Sequence, residues 1–273
     1  MSARSLGRGL LAFAATVLAG LALGVPTAAS APDAGARPLI VGGHDATQPY
    51  SFMASMQTTQ GEHNCGASLI DKQWLVTAAH CVEGQQPSGF QYRINTPDRT
   101  NGGEIGTPDK FVVNPKYDPQ NTGDYDIALV HLAKPVQAEP IKISGTSPKP
   151  GTDVREIGWG LTCGTRGCGE PPQKLQELDT KTVDGAQCTS QESPFDDQRE
   201  LCMDNHGGQA SACYGDSGGP AVVKEGNGFA LVGATSRGQT ANCPDKPGIY
   251  TNVVAHTDWI KQTIGSGGSI GIS

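Results

Sequence analysis

The chain is broken into short apolar runs by joints rich in Pro and Gly, and it carries no helical period until its last part. The runs fall at residues 69–70, 74–78, 111–113, 127–132, 154–159, 221–223, 229–235 and 249–254. They are rich in Val, Ile and Thr, whose branched side chains suit a pleated, half-buried sheet. Joints at 95–109, 114–123, 144–151 and 162–172 separate them, and the joint at 144–151 divides the chain into two β-rich halves. Glycine is abundant, 37 of 273 residues, as many tight turns require. Only over 254–264 do Val254, Trp259, Ile260 and Ile264 share one helical face, so a C-terminal helix is expected there. The Gly/Ser-rich end, 265–273, is expected to be a flexible tail.

The N-terminus reads as a targeting segment. Arg4 and Arg8 precede an apolar run over 10–25, and the small residues Ala28, Ala29, Ser30 and Ala31 follow. We expect a signal peptide over 1–30 and a short propeptide over 31–39. The apolar run is short and interrupted by Gly20, Gly24 and Pro26, which argues against a membrane anchor. An exported chain also accounts for eight cysteines, which pair in oxidising compartments. Zinc would be the rival use of them, but no CxxC pair occurs. The formal charge is −7, from 20 basic and 27 acidic residues. Residues 1–39 hold three Arg and one Asp, so the remainder carries 17 basic and 26 acidic residues, or −9. An acidic body of this kind argues against nucleic acid or an anionic membrane as a partner.

Three stretches carry chemistry. A serine hydroxyl becomes a nucleophile only beside a base that a third group orients, and the oxyanion it creates needs fixed donors. Cys213-Tyr214-Gly215-Asp216-Ser217-Gly218-Gly219-Pro220 offers a serine on a backbone that glycine lets bend sharply. Read alone, it could be an ordinary hairpin loop. Thr77-Ala78-Ala79-His80-Cys81 puts a histidine directly after a strand end; alone, His80 could be structural. Asp124-Tyr125-Asp126-Ile127-Ala128-Leu129 places an acid at the start of an apolar strand, with Asp124 and Asp126 as competing candidates.

Taken with Ile40-Val41-Gly42-Gly43, these stretches resemble the secreted serine peptidases of the chymotrypsin–trypsin family. The order His, Asp, Ser is that of this family and not of other triad folds. The likeness spans residues 40–264 and is expected to be to a bacterial member. It implies an all-β fold of two packed antiparallel Greek-key β-barrels, about 40–145 and 146–254, followed by a C-terminal α-helix. It further implies His80, Asp126 and Ser217 as the catalytic triad, with Gly215 and Ser217 N–H groups as the oxyanion hole. Asp126 is preferred over Asp124 because Ile-Ala-Leu follows it. The other histidines, His44, His63, His131, His206 and His256, match no family motif and are expected to be structural or at the surface. By the same likeness the chain is cut before Ile40, whose new amine pairs with Asp216. Three disulfides are implied, Cys65–Cys81, Cys188–Cys202 and Cys213–Cys243, which leaves Cys163–Cys168 as the fourth.

The likeness also maps the specificity pocket. Ser211 falls at its base, where trypsin-like members carry Asp, and Gly238 and Gly248 fall on its walls, with Ser236 and Arg237 beside them. A neutral base with open walls implies cleavage after large hydrophobic or aromatic residues, because a desolvated Lys or Arg would find no counter-charge there. Trypsin-like cleavage is the alternative, and Asp245 lies nearby in sequence. Arg237 stands where many relatives have Trp. It either offers a cation to substrate residues upstream of the cut or pairs with a local acid. Polypeptides are the expected substrates and protein inhibitors of peptidases further expected partners. A secreted monomer, with no cofactor, no metal, no nucleic acid and no membrane contact after signal cleavage, completes the reading. An inactive binding protein on the same fold and a secreted esterase are the rival functions.

Overall fold

The computed structural model of the chain describes residues 40–120, 125–190, 194–265 and 268–273. The expected signal peptide and propeptide, and Asp124, lie outside them. Strands β1 (His44–Asp45), β2 (Met53–Thr58), β3 (His63–Asp71) and β4 (Trp74–Thr77) lead into the single-turn helix α1 (Ala79–Val82). Then come β5 (Phe90–Ile94), β6 (Glu104–Gly106), β7 (Pro108–Val113), β8 (Ala128–Leu132) and β9 (Lys142–Ile143). The second half adds β10 (Asp153–Gly158), β11 (Gln176–Val183), β12 (Glu200–Met203), β13 (Pro220–Glu225), β14 (Gly228–Arg237) and β15 (Gly248–Asn252). Helix α2 (Thr257–Ile264) follows.

Both halves curl into antiparallel barrels. In the first, the order is β6-β5-β2-β3-β4-β8-β7, and the two ends of that path are consecutive in sequence, joined through Thr107. In the second, β12 pairs with both β15 and β11, so the path β11-β10-β13-β14-β15-β12 closes on itself. In the second sheet, closure among the described strands removes the long unpaired edges that an all-β chain must otherwise protect. One feature eludes a division of the sequence into halves. Strand β1 pairs with β11, and β9 runs parallel to β14, so both belong to the second sheet.

The barrels touch where glycine allows it. A Cβ on Gly66 of β3 would sit 2.7 Å from the Cα of Gly219. The Gly66 N–H donates to the Ser217 carbonyl at 2.8 Å, tying that serine's backbone to the first barrel. The main buried cluster runs across this contact, from Leu69, Leu75 and Leu129 to Ile157, Trp159 and Val222.

The C-terminal helix begins three residues later than its expected start, after a 3₁₀ turn over Val253–His256. Ile260 and Ile264 are buried, with Val254 and Trp259 packed alongside. The final residues, expected to be free, instead lie on the second sheet. Ile272 bridges Ile143, and the Ser273 N–H donates to the Ile143 carbonyl at 3.1 Å.

Candidate active site

His80 sits on α1, one turn after β4 ends. Ala78 and Ala79 are fully buried, so the turn presses into the barrel while the imidazole stays partly open. The Cys65–Cys81 disulfide fixes the residue next to His80 to β3. Asp126 stands just before β8 and is buried. One oxygen of its carboxylate accepts the His80 backbone N–H at 2.9 Å, and the other accepts the ring Nδ1–H at 2.7 Å. This double clamp sets the tautomer, leaving Nε2 bare to take a proton. Ser236 donates to the same carboxylate at 2.7 Å, and Thr251 donates to the Asp126 carbonyl at 2.7 Å. Burial alone would push the imidazole pKa down. The hydrogen bond and charge of Asp126 more than offset it, so the His80 pKa is raised.

The nucleophile loop is pinned from several sides. Gly215 has φ +100°, and Gly218 has φ +75° with room only for hydrogen, since a Cβ there would meet Thr77 and the Gly66 carbonyl. His63, partly buried on β3, donates from Nε2 to the Gly215 carbonyl at 2.9 Å and accepts from the Ser55 hydroxyl through Nδ1 at 2.8 Å. Burial lowers its pKa to about 4, so it stays neutral in this role. Among the described residues no acceptor takes the N–H of Gly215 or of Ser217. Two free donors beside a nucleophile are what an oxyanion requires.

Asp216 is buried between Gly158 and Gly160, neither of which leaves room for a Cβ. Its carboxylate accepts the N–H groups of Gly160 at 2.7 Å and Cys213 at 2.9 Å. No cation pairs with it among the described residues, and burial raises its pKa to about 6. Ile40 is buried against Leu178 and Ala210. In the full chain its nitrogen belongs to a peptide bond and carries no charge.

A cavity of about 280 Å3 opens beside these residues, lined by His80, Ser217, Ser236, Gly238, Gly248 and others. Ala212 and Tyr250 also line it. Ser211 does not line it. That residue is buried, and its hydroxyl donates to the Ala212 carbonyl at 2.9 Å. Arg237 lines the cavity, but its guanidinium is held by the buried carboxylate of Glu200 and by the Pro194 carbonyl. The acid-pairing alternative is therefore the one the geometry favours. Asp245 accepts from Asn242 on a surface turn outside the cavity lining. A larger groove of about 660 Å3 runs past Arg155, Asp179 and Lys224 and contains none of the triad.

The four disulfides are Cys65–Cys81, Cys163–Cys168, Cys188–Cys202 and Cys213–Cys243. The last brings the cavity rim at Cys243 to the start of the nucleophile loop. His80 also lies close to Cys65 and Cys81, but their sulfurs are bonded to each other and offer no thiolate.

Two closed antiparallel barrels, with an Asp-oriented histidine and a glycine-framed serine facing one cavity, define a serine hydrolase. The chain matches the family model described as trypsin over residues 40–260, and it belongs to that family as a serine-type endopeptidase acting on polypeptides. It is 31% identical to a trypsin of Sarcophaga bullata over 82% of this chain and 88% of the relative. It is 33% identical to trypsin theta of Drosophila melanogaster, over 81% and 84% respectively. Trypsin Blo t 3 of Blomia tropicalis is 34% identical over 82% and 85%. These relatives are from insects and a mite and give the expected bacterial membership no support.

Two features escaped the sequence reading. His63 carries no motif, although it lies two residues before Cys65 on the same strand. Glu156 is buried inside the second barrel. Its only signal was a charge within the run 154–159, otherwise apolar but for Arg155.

Proposed function

We propose that the chain is exported, cut before Ile40, and acts as a secreted monomeric endopeptidase that cleaves after large hydrophobic or aromatic residues. Ser217 Oγ attacks the scissile carbonyl while His80 Nε2 takes its proton. The N–H groups of Gly215 and Ser217 receive the oxyanion. As the tetrahedral adduct collapses, His80 returns the proton to the departing amine and an ester to Ser217 remains. Water, deprotonated by His80, then releases the acyl group. The observation that carries this reading is the Asp126 clamp on both the backbone and the ring of His80, beside two uncommitted donors. Gly238 and Gly248 on the cavity walls support a large side chain, and no acid is among the described residues lining the cavity.

Ser217→Ala should lower amide hydrolysis at least about 10⁴-fold with the fold intact. Turnover near that of the native enzyme in the variant would overturn the triad. A serine-directed phosphonate should label the native enzyme; an unlabelled, folded, cleaved chain would instead indicate a binding protein. Trypsin-like cleavage has one observation in its favour, a buried acid behind the cavity.

A further inference from the structure

Five carboxylates are buried among the described residues: Asp126, Glu156, Glu177, Glu200 and Asp216. Burying a carboxylate is costly unless a cation accompanies it. Asp126 has His80, Glu177 has Arg155, and Glu200 has Arg237. On the proposed activation route Asp216 receives the Ile40 amine. Glu156 is left with no cation.

Its position gives the reason. On β10, Val154, Glu156 and Gly158 alternate into the second barrel, while Arg155 faces the other way and is spent on Glu177 and Asp179. The Glu156 carboxylate accepts the Ala212 N–H at 3.1 Å and is hydrogen-bonded to the Tyr250 side chain. Ala212 and Tyr250 both line the cavity beside Ser217. The carboxylate therefore lies one residue's thickness behind the cavity wall, with its charge uncompensated.

We propose that Glu156 is a specificity-determining residue of this cavity, giving it a second class of substrate: a Lys or Arg side chain whose cation is drawn by the Glu156 charge across Ala212 and the Tyr250 hydroxyl. The proposal rests on the reading of this cavity as the pocket for the residue before the cut. It puts the acid on β10 rather than at Ser211 itself, against the N–H of the next residue, Ala212. Large apolar side chains fill the same space when Glu156 is protonated. Burial and the nearby Asp216 charge push the Glu156 pKa up to about 8 in the uncleaved chain. The ionisable groups facing it are Asp216 and Tyr250, joined after cleavage by the Ile40 amine, whose positive charge favours the ionised form.

The test uses the cleaved enzyme, its N-terminus verified at Ile40, and peptides that differ only in Arg or Phe before the cut. Glu156→Gln should lower kcat/KM for the Arg peptide at least tenfold and for the Phe peptide less than threefold. Benzamidine should bind the native enzyme at least tenfold more tightly than neutral benzamide, and that margin should vanish in Glu156→Gln. In the native enzyme the Arg-to-Phe ratio should rise with pH between 5 and 9. Arg does not titrate there, and His80 affects both peptides alike. This pH series needs no variant, so it decides the matter even if Glu156→Gln fails to fold. An Arg-to-Phe ratio that is flat with pH, or unchanged by Glu156→Gln, overturns the proposal. Loss of the hydrophobic reading would show differently, as a Phe peptide that is not cut while the Arg peptide is cut and depends on Glu156.

Discussion

At the scale of single residues, the groups proposed as catalytic stand out in the sequence because such chemistry demands fixed types in fixed surroundings. A serine nucleophile needs glycines around it, and its base needs an acid, so the motifs around Ser217, His80 and Asp126 carry the information locally. Supporting residues carry none of it. His63 acts through the Gly215 carbonyl, and any buried donor there would serve. His63→Ala should leave that carbonyl and the Ser55 hydroxyl unsatisfied, at a cost of about 1–3 kcal/mol in stability. It should lower kcat more than it raises KM; denaturant unfolding and steady-state kinetics check the two effects. Arg237 could be read two ways from sequence because its partner, Glu200, is remote in the chain. The raised pKa of His80 has its own consequence. Only the neutral imidazole accepts the Ser217 proton, so kcat/KM should rise with pH through an acidic limb above the ordinary imidazole value of 6.5. A limb below that value would show that Asp126 does not hold the ring as described.

At the scale of elements, the apolar runs marked β4, β7, β8, β10, β13, β14, β15 and the closing helix, while β2, β5, β11 and β12 fell in no run, β6 lay inside an expected joint, and the pairing partners were not legible. Nothing in His44 or Asp45 announces pairing with β11, since two residues carry no period. The docked C-terminal end was missed because Gly and Ser suggest freedom, yet Ile270 and Ile272 supply enough apolar surface to anchor it. The disulfides differ in what they constrain. Cys213–Cys243 closes a separation of 30 residues and Cys163–Cys168 one of 5. By loop-closure entropy, replacing the first pair with Ser should destabilise the chain by about 1.5 kcal/mol more than replacing the second. Equal losses in urea titrations would mean that native contacts, rather than chain entropy, set these contributions.

At the scale of the whole molecule, the described residues of the uncleaved chain include two buried carboxyls without a cation, Asp216 and Glu156, with pKa values pushed up to about 6 and about 8. Both bind protons more tightly folded than unfolded. Between about pH 4 and 8 the folded precursor therefore keeps protons that the unfolded chain has released, and stability falls as pH rises. If the proposed cleavage before Ile40 delivers its new amine to Asp216, it adds one positive charge to this site and should shrink that slope, as should Glu156→Gln in the precursor. Thermal unfolding of precursor and cleaved enzyme at pH 5 and 8 measures it, and identical slopes would remove Asp216 as the partner of the new amine. Leu39 before the cut suits an apolar pocket, so purified Ser217→Ala precursor should gain an Ile40 terminus when mixed with active enzyme and not when left alone. If only an unrelated peptidase produces that terminus, self-processing is excluded. The two acids also bear on handling. Stocks of the precursor should keep best in a mildly acidic buffer, where its unpaired carboxyls are protonated and the enzyme that would process it is idle. The processed form, with its buried amine in place, belongs in a neutral one.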